Sequence, residues 1–342
     1  MSTIHVPLPV PTHPNVQPPA ELTGTAKSEY DRVFTHFANP EYCLPGISSE
    51  KASKLTEEEC MWLSYECILR YIRAAKHDVA TAIKRIEETL KWRRDFGIYD
   101  TLTAELVEPE AVTGKEFLFG YDTRGRPGLY MCPSKQNTEE GPRQIQFVVW
   151  VLERAIDLMG PGVETLVFMI DFADKAKNSS FSTSRTVLNI LQSHYPERLG
   201  AGLVAHLPWI LHAFMKLIMP FVDPLTRTKA VFNPVQDDRG LWRSAEARDK
   251  GQSNDPKEPN AQLFELDQLV HDGWGGTQMF TYDHDIYWPA LVEMCETRRK
   301  DMARMWRKLG GAIGIKEWDV KVGVRDEKAN EEKVGATEEA SQ

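Results

Sequence analysis

Apolar positions in the first third of the chain recur at helical spacing. Tyr30, Phe34 and Phe37 stand at i, i+4 and i+7. Thr56-x-x-Glu59 is a capping box opening a helix that carries Trp62, Leu63, Ile68, Leu69 and Ile72. Asp78 is placed to cap the next helix, whose Val79, Ile83, Ile86 and Leu90 share one face. The pattern then changes to short apolar runs at Phe117–Tyr121, Gly128–Cys132, Thr165–Ile170, Leu203–His206 and Lys229–Phe232, each bounded by Gly, Pro or Asp. Helical stretches Ile145–Met159, Val187–Gln192 and Pro208–Met219 separate most of them, and Asp122-Thr123-Arg124-Gly125 is a hairpin turn between the first two. This interleaving predicts an α/β fold: a mostly parallel sheet flanked by helices, preceded by a small all-helical domain.

One stretch breaks both periods. Between Leu207 and Val222 only His212 and Lys216 are clearly polar, in a helix that Pro208 opens and Pro220 closes. At 1.5 Å per residue its about 12 residues reach roughly 18 Å, short of the about 20 residues a bilayer span needs. A helix apolar all round is buried in protein or rests on something oily. A core helix and a movable lid over a lipid both satisfy that condition.

Composition narrows the class. The 342 residues are 42% hydrophobic and 27% charged, with net charge −9. That balance fits a soluble protein with a sizeable core and excludes a general nucleic-acid binder, which needs a basic face. Cys43, Cys60, Cys67, Cys132 and Cys295 are odd in number and form no C-x-x-C pair. A reducing, cytosolic setting is expected, with no disulfide framework and no zinc site. The proline-rich residues 1–26 read as an extended mobile arm, 244–262 as a surface-loop insertion, and 316–342 as a charged flexible tail.

Enzyme signatures are absent from the sequence: no G-x-S-x-G elbow, Walker-type loop, H-E-x-x-H or G-x-G-x-x-G after a strand is found. Asp171 ends a strand where α/β enzymes often keep an acid, but no nucleophile accompanies it; His194, His206, His212 and the Asp283-His284-Asp285 triplet lack metal-ligand spacing. No metal and no cofactor are expected. Glu197 and Lys229, which flank the apolar stretch, are of the types that hold sugar hydroxyls and phosphate oxygens; they are also of the types that populate any surface. The basic segment Arg298–Lys308, with Met302, Met305 and Trp306, reads either as an anionic-membrane contact or as an amphipathic helix packed on the core.

Taken together, ILRYIRAAKHDVATAIKRIEETLKWRRDFGI, HYPERLG and PFVDPLTRTKAVF resemble the CRAL-TRIO family, specifically its fungal phosphatidylinositol transfer proteins. RQIQFVVWVLERAIDLM, YDHDIYWPALVE and Gly275-Gly276 extend the match over roughly 28–315. The closest likeness is to the pleiotropic-drug-resistance branch, linked to azole tolerance and sterol binding. The resemblance implies a helical domain at 27–110, a lipid-binding domain at 111–287 and a C-terminal helical segment at 288–315. It implies that Glu197, Thr226 and Lys229 contact an inositol phosphate headgroup. It also makes the apolar helix a gate, with Trp209, Phe214, Leu217, Ile218 and Phe221 on it. The expected protein is no enzyme: it carries a phosphatidylinositol, visits membranes such as endoplasmic reticulum or lipid droplets transiently, and binds no nucleic acid. Two departures refine this. Ala75 stands where the founding members have a phosphate-binding Arg, and Leu166 and Phe168 stand where phosphatidylcholine binders keep Ser and Thr. Phosphatidylcholine should therefore be held poorly and a sterol more readily. A lipid-ester hydrolase and a module presenting lipid to a kinase are the alternatives.

Overall fold

The computed structural model describes residues 3–11, 17–47, 53–173, 181–207, 229–236, 242–244 and 263–339. The chain divides into two compact units, one of residues 1–13, 102–189 and 197–295, the other of 14–101, 190–196 and 296–342.

In the helical unit, α1 (Gly24–Ala38) buries Tyr30, Val33 and Phe37. The capping box at Thr56 forms as expected and opens α2 (Glu57–Trp62). Its Glu59 does double duty, since the buried carboxylate also accepts Arg94 Nε at 2.5 Å and Nη2 at 2.6 Å. Ser64 and Asp78 cap α3 (Tyr65–Ala74) and α4 (Val79–Asp95) through Cys67 N at 3.0 Å and Thr81 N at 2.7 Å. Ile68, Tyr71, Ile72, Ala82, Ile86 and Leu90 close the core between them.

In the other unit, α5 (Ala104–Ala111) and α6 (Pro142–Asp157) accompany a five-stranded sheet. Its strands β1 (Glu116–Tyr121), β2 (Pro127–Met131), β3 (Leu166–Asp171), β4 (Leu199–Ala205) and β5 (Ala230–Phe232) lie side by side in chain order. The β1–β2 pair is an antiparallel hairpin and every later pairing is parallel. Asp122 closes the hairpin by accepting from Arg124 N at 2.9 Å and Arg126 N at 2.8 Å while pairing with the Arg126 guanidinium. A short ribbon follows, β6 (Pro234–Gln236) with β7 (Trp242–Ser244). Further on, Gly275 has φ +74° and Gly276 abuts the Leu269 carbonyl, where any side chain would collide. The glycine pair therefore has a steric cause.

The sheet's two faces differ. One is sealed: Phe117, Tyr130, Val167, Met169, Ala201, Leu203, Ala205 and Val231 are all buried. Phe117 stacks on Tyr130 and Phe280, each 4.9 Å between centroids, and Trp274 meets Tyr130 edge-on at 6.0 Å.

Two expectations fail. Residues 3–11 are not a loose arm: Ile4 donates to Met279 O and accepts from Thr281 N, both at 3.0 Å, and Pro7 is buried. The proline-rich composition disguised this because the partner groups lie about 275 residues away in sequence. Nor is 316–342 a flexible tail throughout, because Glu317–Glu339 is helical. The remaining α-helices among the described residues are α7 (Phe181–His194), α8 (His284–Lys308) and α9 (Glu317–Glu339). Glu66 caps α9 by accepting from Glu317 N at 2.6 Å and Trp318 N at 3.1 Å. Val320 and Val324 then pack on Met302, Met305 and Trp306 of α8. The methionines and tryptophan of the basic segment are thus core residues. Arg304 and Lys308 pair with Glu327, and Arg307 pairs with Glu57.

Candidate functional site

The sheet's second face is apolar but incompletely covered. Strand alternation and register place Leu118, Leu129, Met131, Phe168, Ile170, Gly202, Val204, Ala230 and Phe232 on it. Leu118 and Leu129 are buried and Leu166 is fully so, whereas Met131, Phe168, Ile170, Val204, Ala230 and Phe232 each keep part of their surface accessible. Of the two predicted cavity residues, Phe168 therefore sits on the half-covered part and Leu166 at the closed end.

The start of β4 explains HYPERLG residue by residue. His194 stacks on Trp92 at 4.2 Å between centroids, with its Nδ1 3.1 Å from Thr89 Oγ1. Burial, helped by the charges of Arg85 and Arg93, pushes its pKa down to about 4. Tyr195 and Pro196 are buried, and Arg198 is also buried, donating through Nη1 to Glu164 O at 2.8 Å. Gly200 forms the extra residue of a bulge between Leu166↔Leu199 and Val167↔Ala201. A Cβ on Gly200 would meet Arg126 Nη1 at 2.5 Å and Thr165 Oγ1 at 2.7 Å. Glu197 is the exception. It is exposed, with φ +58°, a conformation that costs a non-glycine residue about 1–2 kcal/mol.

Lys229 lies beside this turn. It immediately precedes β5, accepts from Gly202 N at 2.7 Å, and its Nζ donates to Leu199 O at 2.9 Å. Leu199 is two residues beyond Glu197, so the fold brings both predicted residues to the same end of adjacent strands. The half-buried ammonium has three N–H groups; two are without a partner among the described residues. Thr226 and the gate positions Trp209, Phe214, Leu217, Ile218 and Phe221 lie outside the described residues. Ala75 follows the end of α3, buried, and delivers no charge.

At the opposite strand ends, Asp171 Oδ1 lies 2.7 Å from His206 Nδ1 and accepts from Ala173 N at 2.8 Å. Among the described residues, no three His, Cys, Asp or Glu side chains are grouped to hold a metal ion, and no helix is long and apolar enough to cross a membrane. Asp283 serves as a helix-start turn, accepting from Tyr287 N at 2.7 Å.

Known proteins resemble this chain in sequence. The CRAL/TRIO N-terminal domain matches residues 29–88 and the CRAL/TRIO domain residues 111–246. The chain is 34% identical to the phosphatidylinositol transfer protein PDR17 of Saccharomyces cerevisiae, over 90% of this chain and 86% of that protein. It is 42% identical to a CRAL-TRIO domain-containing protein of Schizosaccharomyces pombe over 88% of this chain, which spans only 28% of that relative. A SEC14 cytosolic factor of Candida glabrata is 26% identical, over 47% of this chain and 60% of that protein. The chain belongs to the CRAL-TRIO family, and its fold is the family's mixed sheet flanked by helices with a helical domain in front. PDR17 and a CSR1 protein of Eremothecium gossypii, 22% identical over 50% of this chain and 42% of that protein, are both named as phosphatidylinositol transfer proteins.

Proposed function

We propose that the chain is a phosphatidylinositol transfer protein that holds one lipid against the half-covered face of its sheet and exchanges it at membranes. The observation that carries this reading is the combination of that apolar face with an exposed carboxylate and a half-buried ammonium at the ends of β4 and β5. A lipid with about thirty methylenes forfeits on the order of 20 kcal/mol in water at about 0.8 kcal/mol per CH₂. A carrier must therefore cover the acyl chains and uncover them only at a membrane. We assign the cover to the apolar run 208–219, which lies outside the described residues. An inositol hydroxyl would donate to Glu197 and the phosphate would accept from Lys229 and Thr226.

The same reading makes phosphatidylcholine a poor cargo. Leu166 and Phe168 offer no hydroxyl donor, so a choline phosphate there would be desolvated without compensation. A sterol suits that surface better. A cytosolic location with transient visits to endoplasmic reticulum or lipid droplets, and a link to azole tolerance, extend the proposal.

Vesicle-to-vesicle transfer tests it. Lys229→Ala and Glu197→Ala are each expected to lower phosphatidylinositol transfer by about tenfold or more, the loss of one charged hydrogen bond of about 1.5–3 kcal/mol. Wild-type transfer of phosphatidylcholine should be at background. Undiminished transfer in both variants would sink the headgroup assignment.

A further inference from the structure

One group on the half-covered face is out of keeping with the rest. Glu116 opens β1 in register with Met131, and the row continues through Ile170 and Val204 to Phe232. It is the acidic member of an otherwise apolar row. The residue keeps slight exposure, but its Oε2 is shut off from solvent and has no hydrogen-bond partner among the described residues. The adjacent cation does not compensate it, because Lys115 Nζ donates to Glu110, whose carboxylate also takes Thr138 Oγ1 at 2.6 Å and Arg143 Nε at 2.9 Å. Burial pushes the Glu116 carboxyl up to about 7, against the pull of Lys115 and with a push from Glu110. Near neutrality about half of it is therefore the neutral acid, able to donate a hydrogen bond as well as accept one. A buried polar group without a partner is costly, and sites that break local rules in this way tend to be functional.

We propose that Glu116 is the polar anchor of an apolar site, holding the hydroxyl of a neutral lipid alcohol whose body lies along Met131, Ile170 and Phe168. The assignment deepens the carrier reading and rests on it. A hydroxyl both donates and accepts, which matches a carboxylic acid. A phosphate would meet the same oxygen with no cation to offset it, since Lys115 is taken by Glu110. Sterols and diacylglycerols share the required chemistry of one hydroxyl on a large apolar body.

The test uses full-length protein and two fluorescent probes, dehydroergosterol and a labelled diacylglycerol, with a sterol lacking its 3-hydroxyl as control. Glu116→Leu should weaken binding of at least one alcohol by about tenfold and leave the deoxy sterol within about twofold of wild type. Glu116→Gln, which keeps a donor and an acceptor, should bind within about threefold of wild type, with circular dichroism reporting that both variants fold. Equal alcohol binding by wild type and Glu116→Leu would overturn the anchor, as would a wild type that binds neither alcohol. Phosphatidylinositol transfer by the wild type is measured alongside. If it is absent while the alcohol still depends on Glu116, the carrier reading fails and the anchor stands.

Discussion

At the scale of residues, packing accounts for most of the HYPERLG segment. Tyr195, Pro196 and Arg198 are buried, and Gly200 is needed because Arg126 and Thr165 crowd its α-carbon. Glu197 alone is exposed in a left-handed turn. Glycine suits that backbone better than glutamate, so Glu197→Gly is expected to leave stability unchanged or raise it by up to about 1 kcal/mol while phosphatidylinositol transfer collapses. A clear fall in melting temperature would instead make Glu197 a structural residue. His194 carries the pH dependence. Its folded pKa of about 4 lies below the ordinary 6.5, so between those values the unfolded chain binds the proton preferentially. Stability is complete above about 6.5 and falls as pH drops toward 4, by on the order of 1–2 kcal/mol after allowing for solvent screening. In His194→Gln that slope should flatten in denaturant titrations at pH 7 and pH 4.5. An unchanged slope would contradict the buried neutral imidazole. Glu197 and Lys229 sit in strings that stand out in the sequence, and the structure brings them to the same end of β4 and β5. Glu116 does not stand out, because it falls on the boundary of the FLFGY run and its inward orientation follows only from register with Met131.

Elements were read well where packing obeys local periodicity. The capping box at Thr56, the cap at Asp78 and the five strands appear near the expected positions. The start of β4 was missed by four residues: Leu199–Gly202 contains two glycines and an alanine, which carry little strand signal, and Gly200 is bulged. The helix α9 was missed for another reason. Its packed seam rests on Val320 and Val324 among many charges, and its N-terminus is capped from elsewhere in the chain by Glu66. A cap supplied at long range leaves no local signature. Glu66→Ala should therefore cost about 1–2 kcal/mol in chemical denaturation, the usual value of a helix cap, whereas Lys328→Ala, which removes a partly exposed pair with Asp301, should cost less than about 1 kcal/mol. Equal, negligible effects would mean that the helix start contributes nothing to the folded unit.

At the scale of the whole molecule, the sheet is sealed on one face by aromatic packing and left apolar and half covered on the other. An apolar surface left partly accessible is the kind of place where a partner or a ligand binds, and the proposal places a lipid there. Residues 3–11, hydrogen-bonded to Met279 and Thr281, belong to that same unit and not to a free arm. The central claim is that this face carries a single inositol lipid whose headgroup is held by Glu197 and Lys229. Native mass spectrometry of the purified full-length protein tests it most directly. The account predicts one bound phosphatidylinositol per chain, lost in Lys229→Ala; a protein that carries no lipid, or one filled mainly with phosphatidylcholine, would contradict it.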